Sequence, residues 1–344
     1  MSFKQKAAEA RRRVHSRRRA LVLFAVQVLI ILHIVHFYLT GSTVGPLEPS
    51  ESAAFIRSKE INPGLIFFSG AILFTLIFGR FFCGWGCHIL ALQDASAWLL
   101  KKMHIRARPI RSRALLVVPV LAFFWMFVVP FFGRANDSEI HTKWLTNNFW
   151  ETFPGPFVSI LTLFIAGGYV VFLLGNKAYC RYACPYGAAF GAADSLAVGK
   201  ITVDNSLCEG CMQCTKNCSS GVLVHDEIKK HGVVVDSNCM KTLDCVAGCP
   251  QQALKFEFSA PSIFQPSSGN SSLYPLSWKK EITLILGFLA GFLATYDLFG
   301  EIPFLLALGL GLITAYGFYH FIYRRVKLFN SVFKSIFVTF AFLL

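Results

Sequence analysis

Six long apolar runs set the pattern of the chain, over residues 20–39, 63–82, 114–132, 156–175, 282–300 and 302–323. A hydrocarbon core about 30 Å thick takes roughly 20 residues of helix, so each run predicts a transmembrane helix. Only the polar patch 297–303 separates the last two. Beyond them Phe329, Val332, Phe333, Ile336, Phe337 and Phe340 recur at helical spacing among Asn330, Ser331, Lys334 and Ser335. That pattern predicts an amphipathic interfacial helix over 326–344. Gly287 and Gly291 form a small-xxx-small pair suited to close helix packing.

Charge orients this framework. With the N-terminus in the cytoplasm, all but four of the 33 Lys and Arg residues fall in cytoplasmic segments, and the four outside are Arg57, Lys59, Arg134 and Lys143. The positive-inside rule is met throughout. The net charge of +14 therefore reads as membrane-orienting charge and excludes a nucleic-acid partner, because the basic residues lie in blocks between apolar runs. The basic stretch 11–19 and the first run read as a cytoplasmic N-terminus, 1–19, followed by a retained anchor, since no small-residue cleavage site follows the run. The hydrophobic fraction of 54% excludes a disordered chain, and the length of 344 residues excludes a small disulfide-stapled domain.

The candidate chemistry lies in the one long polar insert, within 176–280, which carries seven of the 11 cysteines. Cys208, Cys211, Cys214 and Cys218 follow C-x2-C-x2-C-x3-C, the spacing of bacterial ferredoxins. Disulfides are disfavoured in a reducing cytoplasm, and zinc sites rarely use this run of four. By the crossed ligation of two-cluster ferredoxins, a first 4Fe-4S cluster takes Cys208, Cys211, Cys214 and Cys249. A second takes Cys218, Cys239 and Cys245, and it is one thiolate short because Thr242 stands where the repeat places a cysteine. It is expected as a 3Fe-4S cluster, or as a 4Fe-4S cluster completed by water, Thr242 or Asp244. Ser219 replaces the proline expected after Cys218. Residues 232–236 and 253–258 read as short strands. The insert is thus expected to hold an α+β bacterial-type two-cluster ferredoxin domain over residues 200–260.

The remaining cysteines form two like elements at the cytoplasmic ends of the second and fourth runs. Cys83-Gly-Trp-Gly-Cys87-His88 and Cys180-Arg-Tyr-Ala-Cys184-Pro185 each follow an aromatic, Phe82 or Tyr179, and each has Ala four residues after its second cysteine, Ala91 or Ala188. One element used twice implies two helical hairpins related by approximate symmetry, with four thiols converging beneath the ferredoxin domain. Such thiols bind a metal or cluster, cycle as dithiol and disulfide, or relay electrons. The structural alternative is that they are small apolar packing residues.

These residues give the chain a resemblance. Paired Cys-x3-Cys elements after membrane helices, the second reading Cys180-Arg-Tyr-Ala-Cys184-Pro185-Tyr186-Gly187-Ala188, followed by a ferredoxin-like cysteine cluster, resemble the membrane polyferredoxin family that includes NapH, the C-terminal half of NosR, and CcoG. The resemblance covers residues 63–258. It implies electron transfer at the cytoplasmic face of the bacterial inner membrane, between the quinone pool or a cytoplasmic donor and a partner redox protein, or service to a metalloenzyme. Two departures stand out. His88 replaces the proline of the first element and is itself a candidate ligand, and the second ferredoxin motif lacks a cysteine.

His33 and His36, three apart on the first run, are candidates for quinol contact. Heme is not expected, because no histidine stands at matching depth on a second span: His320 lies toward the cytoplasm and His141 in an outer loop. The overall expectation is a polytopic α-helical membrane protein of six spans, four within 20–175 and two within 281–325, with the inserted ferredoxin domain. Its function is iron–sulfur electron transfer. Two rivals are a cupric or other metal-ion reductase using the four membrane-surface thiols, and a redox sensor or scaffold without catalysis of its own.

Overall fold

A computed structural model describes residues 2–45, 47–105, 110–132, 139–148, 155–264, 274–296 and 302–323. The first helix, Phe3–Thr40, runs 38 residues without a break. Ser2 and Gln5 form a capping box at its start, and Gly41, with φ of 71°, ends it in the left-handed conformation that favours glycine. At 1.5 Å per residue it is about 57 Å long, nearly twice the hydrocarbon thickness. Its basic first half therefore projects from the bilayer as helix, and residue 19 marks no break.

Four helices among the described residues are long and apolar enough to cross a membrane: Phe3–Thr40, Ala114–Phe132, Gly155–Leu174 and Phe304–Tyr323. The sequence predicts six spans. The second run forms the shorter apolar helix Pro63–Phe78, started by Asn62, whose side chain accepts from the Leu65 amide, and ended by Gly79. Gly79 has a φ of 72° and lies against Asp194, Lys241 and Gly199, so no Cβ fits there and the helix stops. The fifth run forms Trp278–Tyr296, whose first turn carries Lys279, Lys280 and Glu281. It packs closely on Phe304–Tyr323: Gly287 and Gly291 leave room for Phe318 and Thr314, and the Thr314 hydroxyl donates to the Gly287 carbonyl at 2.9 Å. The expected helix at 326–344 and most of the patch at 297–303 lie outside the described residues.

Two stretches of the chain repeat one backbone. In the first, Pro63–Phe78 leads through Gly79 into a five-residue helix, Phe81–Trp85, with Cys83 at its centre. Cys87 then takes an extended conformation and caps His88–Lys102. In the second, Gly155–Leu174 leads through Gly175 into Ala178–Tyr182, with Cys180 at its centre, and an extended Cys184 caps Pro185–Leu196. His88 occupies the first helical position that Pro185 holds in the second copy, a place where proline's missing N–H costs nothing.

The polar insert folds on a two-stranded antiparallel sheet joining its ends, Gly199–Val203 against Leu254–Phe258, with Gly199 opposite Phe258 and Val203 opposite Leu254. Closing the module this way lets it hang from two spans. The expected strand at 253–258 forms as Leu254–Phe258, whereas 232–236 makes a single bridge, Val233 to Thr202, flanked by bonds from the Val203 amide to the Gly232 carbonyl at 3.1 Å and from the Val234 amide to the Ile201 carbonyl at 2.9 Å. The core of the insert contains Ile201, Val222, Val224, Ile228, Val234 and Leu254, interleaved with buried Cys214, Cys239, Cys245 and Cys249. So short a module has little apolar volume of its own. Its core is built around sulfur.

Candidate metal centre

The cysteines of the insert lie on two loops of matched conformation. In the first, Gly210 (φ 68°) and Met212 (φ 58°) flank Cys211 in left-handed geometry. In the second, Lys241 (φ 46°) and Leu243 (φ 59°) flank Thr242. Short helices then begin at Gln213 and Asp244, placing Cys214 and Cys245 at the same step. Thr242 thus occupies the position of Cys211, and the turn that presents a ligand survives the loss of its thiol. The sulfurs sort by electrostatic proximity: Cys214 feels Cys211 and Cys249, while Cys245 feels Cys239 and Cys218 before any other thiol. Cys208 is half-buried against the same core and Cys211 is exposed.

Asp244 is engaged elsewhere. Its Oδ1 accepts from the Ser16 hydroxyl at 3.1 Å and its Oδ2 from the Ser219 hydroxyl at 3.3 Å. Ser219 also accepts from the Lys177 ammonium at 2.6 Å. The residue that replaces the expected proline therefore fastens the insert to the second hairpin.

The four membrane-surface thiols share one buried pocket. Cys83 is core, with Cys87, Cys180 and Cys184 packed against the same cluster beside Leu90, Tyr186 and Phe190. Burial, reinforced by the neighbouring thiols, lifts Cys180 to about 11 and Cys184 to about 12. Burial likewise lifts Cys214 to about 11. Such thiols keep their protons until a cation takes them. Gln93 of the first repeat donates to the Cys180 sulfur of the second at 3.0 Å, so the copies are joined at the sulfur itself.

Two buried cations stand three residues before the first cysteine of each hairpin. Arg80 brings its positive charge near the Cys83 thiol and donates to the Ser237 carbonyl at 2.8 Å; Lys177 reaches Ser219. Sequence reasoning missed both as site residues, although Arg80–Cys83 and Lys177–Cys180 share one spacing. Buried Asp194 anchors the assembly: it accepts from the Arg80 amide at 3.0 Å and forms ion pairs with Lys241 Nζ at 3.0 Å and Lys200 Nζ at 3.6 Å.

The loop bearing Thr242 is the joint between insert and hairpins. Gly84 lies so close to the Met240 carbonyl that no side chain fits between them. Trp85 Nε1 donates to the Lys241 carbonyl at 3.1 Å, and the His15 ring meets the Thr242 carbonyl at 2.8 Å. The projecting half of the first helix clasps this face: Arg11 donates to the Cys249 carbonyl at 2.8 Å, and Arg19 pairs with Asp94 at 2.7 Å and donates to the Gly84 carbonyl at 3.1 Å. The stretch read from sequence as orienting charge is also a docking element. His88 lies on the membrane-side helix with its carbonyl taken by Gln27. His33 and His36 bond Val44 and Thr43 at 3.0 Å, roughly 30 Å along the helix from His15.

Among the described residues no three His, Cys, Asp or Glu side chains close on a single-ion site. A mononuclear zinc site draws all its ligands onto one ion, whereas a cubane gives each thiolate its own iron and a wider spread. Soft sulfur donors, buried and flanked by cations, fit an anionic thiolate-ligated cluster.

Comparison with known proteins agrees. A family model described as a 4Fe-4S binding domain matches twice, at residues 63–106 and 155–203, so the two hairpins are copies of one unit. A 4Fe-4S dicluster domain matches residues 200–250. The ferredoxin-type protein NapH of Haemophilus influenzae is 25% identical over 237 residues, covering 62% of this chain and 76% of NapH. YccM of Escherichia coli is 25% identical over 229 residues, covering 63% of this chain and 60% of YccM. The methylamine utilization ferredoxin-type protein MauN of Methylobacillus flagellatus is 25% identical over 229 residues, covering 62% and 78%. No solved structure matches.

Proposed function

We propose that this chain, a membrane iron–sulfur protein homologous to the ferredoxin-type proteins NapH, YccM and MauN, carries electrons at the cytoplasmic face of the inner membrane, between the quinone pool or a cytoplasmic donor and a partner redox protein. One observation carries the reading: the thiol-bearing loops are contiguous, from exposed Cys211 through the Met240–Gly84 contact to the four hairpin sulfurs.

In this reading Cys208, Cys211, Cys214 and Cys249 hold a 4Fe-4S cluster, and Cys218, Cys239 and Cys245 hold a second with its open corner at Thr242. Asp244 is the weaker candidate for that corner, since both its oxygens are already bonded. Cys83, Cys87, Cys180 and Cys184 hold a further cluster together, each repeat supplying one pair; His88 stands beside the set as an alternative ligand. Bound there, iron–sulfur clusters supply reversible one-electron transfer. The residues set the conditions. Arg80 and Lys177 offset negative charge at the hairpin sulfurs, Gln93 donates to one of them, and the apolar wall of Leu90, Tyr186 and Phe190 keeps water away.

The cytoplasmic placement rests on the distribution of Lys and Arg. A redox titration of anaerobic membranes, paired with protease access to the insert from either side, tests the proposal. Expected are iron–sulfur signals and cleavage near His225 only from the cytoplasmic side. Stoichiometric zinc without iron, or cleavage from outside, would overturn it.

A further inference from the structure

An apolar cleft of about 720 Å³ lies between helices Ala114–Phe132 and Trp278–Tyr296, within the roughly 300–1,000 Å³ usual for small-molecule sites. Aromatic rings of Trp125, Phe288, Phe292 and Phe304 line it, and its polar end carries Arg113 and Glu281. Exposed Leu121 and Leu289 mark its sideways opening, at bilayer depth. Glu281 is fixed: its Oε1 accepts from the Arg113 amide at 3.0 Å, and its Oε2 from the Ala114 amide at 3.2 Å and the Ser112 hydroxyl. A carboxylate has about four lone-pair sites, so Oε1 keeps acceptor capacity toward a ligand.

The back wall leads to the thiols. Val118, Ala122 and Phe288 belong to the same packed core as Tyr179, Tyr182 and Ala183, against which Cys184 packs. Tyr182 donates to the Ile110 carbonyl at 3.4 Å and Tyr179 to the Leu305 carbonyl at 2.9 Å.

We infer that this cleft binds a lipid-soluble quinol, its oxygenated ring at the Arg113–Glu281 end between aromatic walls and its tail along the apolar groove toward the bilayer. A neutral ring whose hydroxyl donates matches the remaining acceptor site of the Glu281 carboxylate, while the Arg113 guanidinium is held over the Tyr274 ring at 6.0 Å; an anionic phospholipid headgroup meets the Glu281 charge. The aromatic lining suits a flat ring better than an acyl chain. The inference rests on the electron-transfer reading for its purpose and moves the quinol site away from His33 and His36, whose rings bond the short strand Thr43–Val44.

The test is photolabelling of the full chain in phosphatidylcholine nanodiscs with an azido-benzoquinone bearing a decyl tail, with mapping of labelled peptides. Label is expected on 114–125 and 278–292, competed by decylubiquinone and not by added phosphatidylglycerol. Ala122→Phe, which fills the cleft, and Leu121→Trp, at its exposed mouth, are each expected to weaken labelling roughly tenfold with the iron–sulfur spectrum unchanged. Label confined to peptides around His33, no label, or equal competition by phosphatidylglycerol would overturn the site. Labelling needs no iron, so a colourless protein labelled in the cleft refutes the electron-transfer reading alone, and an iron-replete protein unlabelled there refutes the site alone.

Discussion

The two halves of the ferredoxin module differ in motif and in surroundings together. The outer half keeps its full set of thiols and turns Cys211 to solvent, with Met212 beside it half exposed. The inner half loses one cysteine to Thr242 and one proline to Ser219, and those two segments are where it docks. Thr242 is buried under His15, and Ser219 takes the Lys177 ammonium. Departures from a repeat are thus traded for contacts with the membrane part. Lys241 shows the exchange most directly: its left-handed backbone stands where the first loop has Gly210, and its fully buried ammonium pairs with Asp194. A left-handed backbone costs a residue with a Cβ roughly 1–2 kcal/mol. The ion pair and the Trp85 bond to its carbonyl hold it there.

Exchanging the second ligand position between halves is the sharpest way to break this comparison. Cys211→Thr should remove nearly all of the outer centre's EPR signal and leave the inner one. Thr242→Cys should convert the inner centre's signal to that of a four-thiolate 4Fe-4S cluster, because the left-handed turn that presents the side chain is already present. An unchanged spectrum in both variants would show that the matched loops do not hold matched centres.

Lys241→Met should cost about 3–5 kcal/mol, since removing one member of a buried pair leaves the other charge buried. Denaturation of the detergent-solubilised protein checks this, and a loss under 1 kcal/mol would mean that Lys200 alone satisfies Asp194. Gly84→Ala should cost about 1–3 kcal/mol by forcing the hairpin off the Met240 carbonyl. Its specific signature is faster proteolysis between insert and membrane part while iron content holds.

The smallest effect concerns the clasp and pH. Burial on its own would raise the Asp94 carboxyl, but the Lys177 and Arg19 charges and the Asn176 amide outweigh it and hold the group below its ordinary value. Its contribution to folding, about 1–2 kcal/mol for a charged hydrogen-bonded pair, is therefore complete above the ordinary carboxylate range. It disappears as pH falls through the lowered native value. Hydrogen exchange of residues 3–20 should lose protection in that acid window, and Asp94→Asn should abolish the step.

The cysteine pattern of the candidate centre is legible in the sequence itself, because ligation of a cluster would fix spacing and spacing survives in a sequence. The duplication of the hairpins is legible for the same reason, with Cys83, Cys87, Cys180 and Cys184 at equal separations. What escapes is contact over long sequence distance. Arginines at 11–19 carry one local signal, positive charge beside an apolar run, and that signal is the same whether they only orient the helix or grip Cys249 and Gly84. Arg80 and Lys177 look like ordinary cytoplasmic charges until the hairpins are superposed and both fall three residues before a cysteine. The early end of Pro63–Phe78 depends on Gly79 meeting Asp194, 115 positions onward.

If the two hairpins join their four thiols in one iron–sulfur centre beside those of the ferredoxin module, losing a thiol from either hairpin abolishes one and the same signal. EPR with iron and sulfide determination on the anaerobically purified full chain, compared with Cys83→Ser and Cys180→Ser variants, tests it most directly. Either variant should remove the same single signal, with its share of iron and sulfide, and leave the ferredoxin signals intact. Iron content unchanged in both, or different signals lost in the two, would contradict a shared centre.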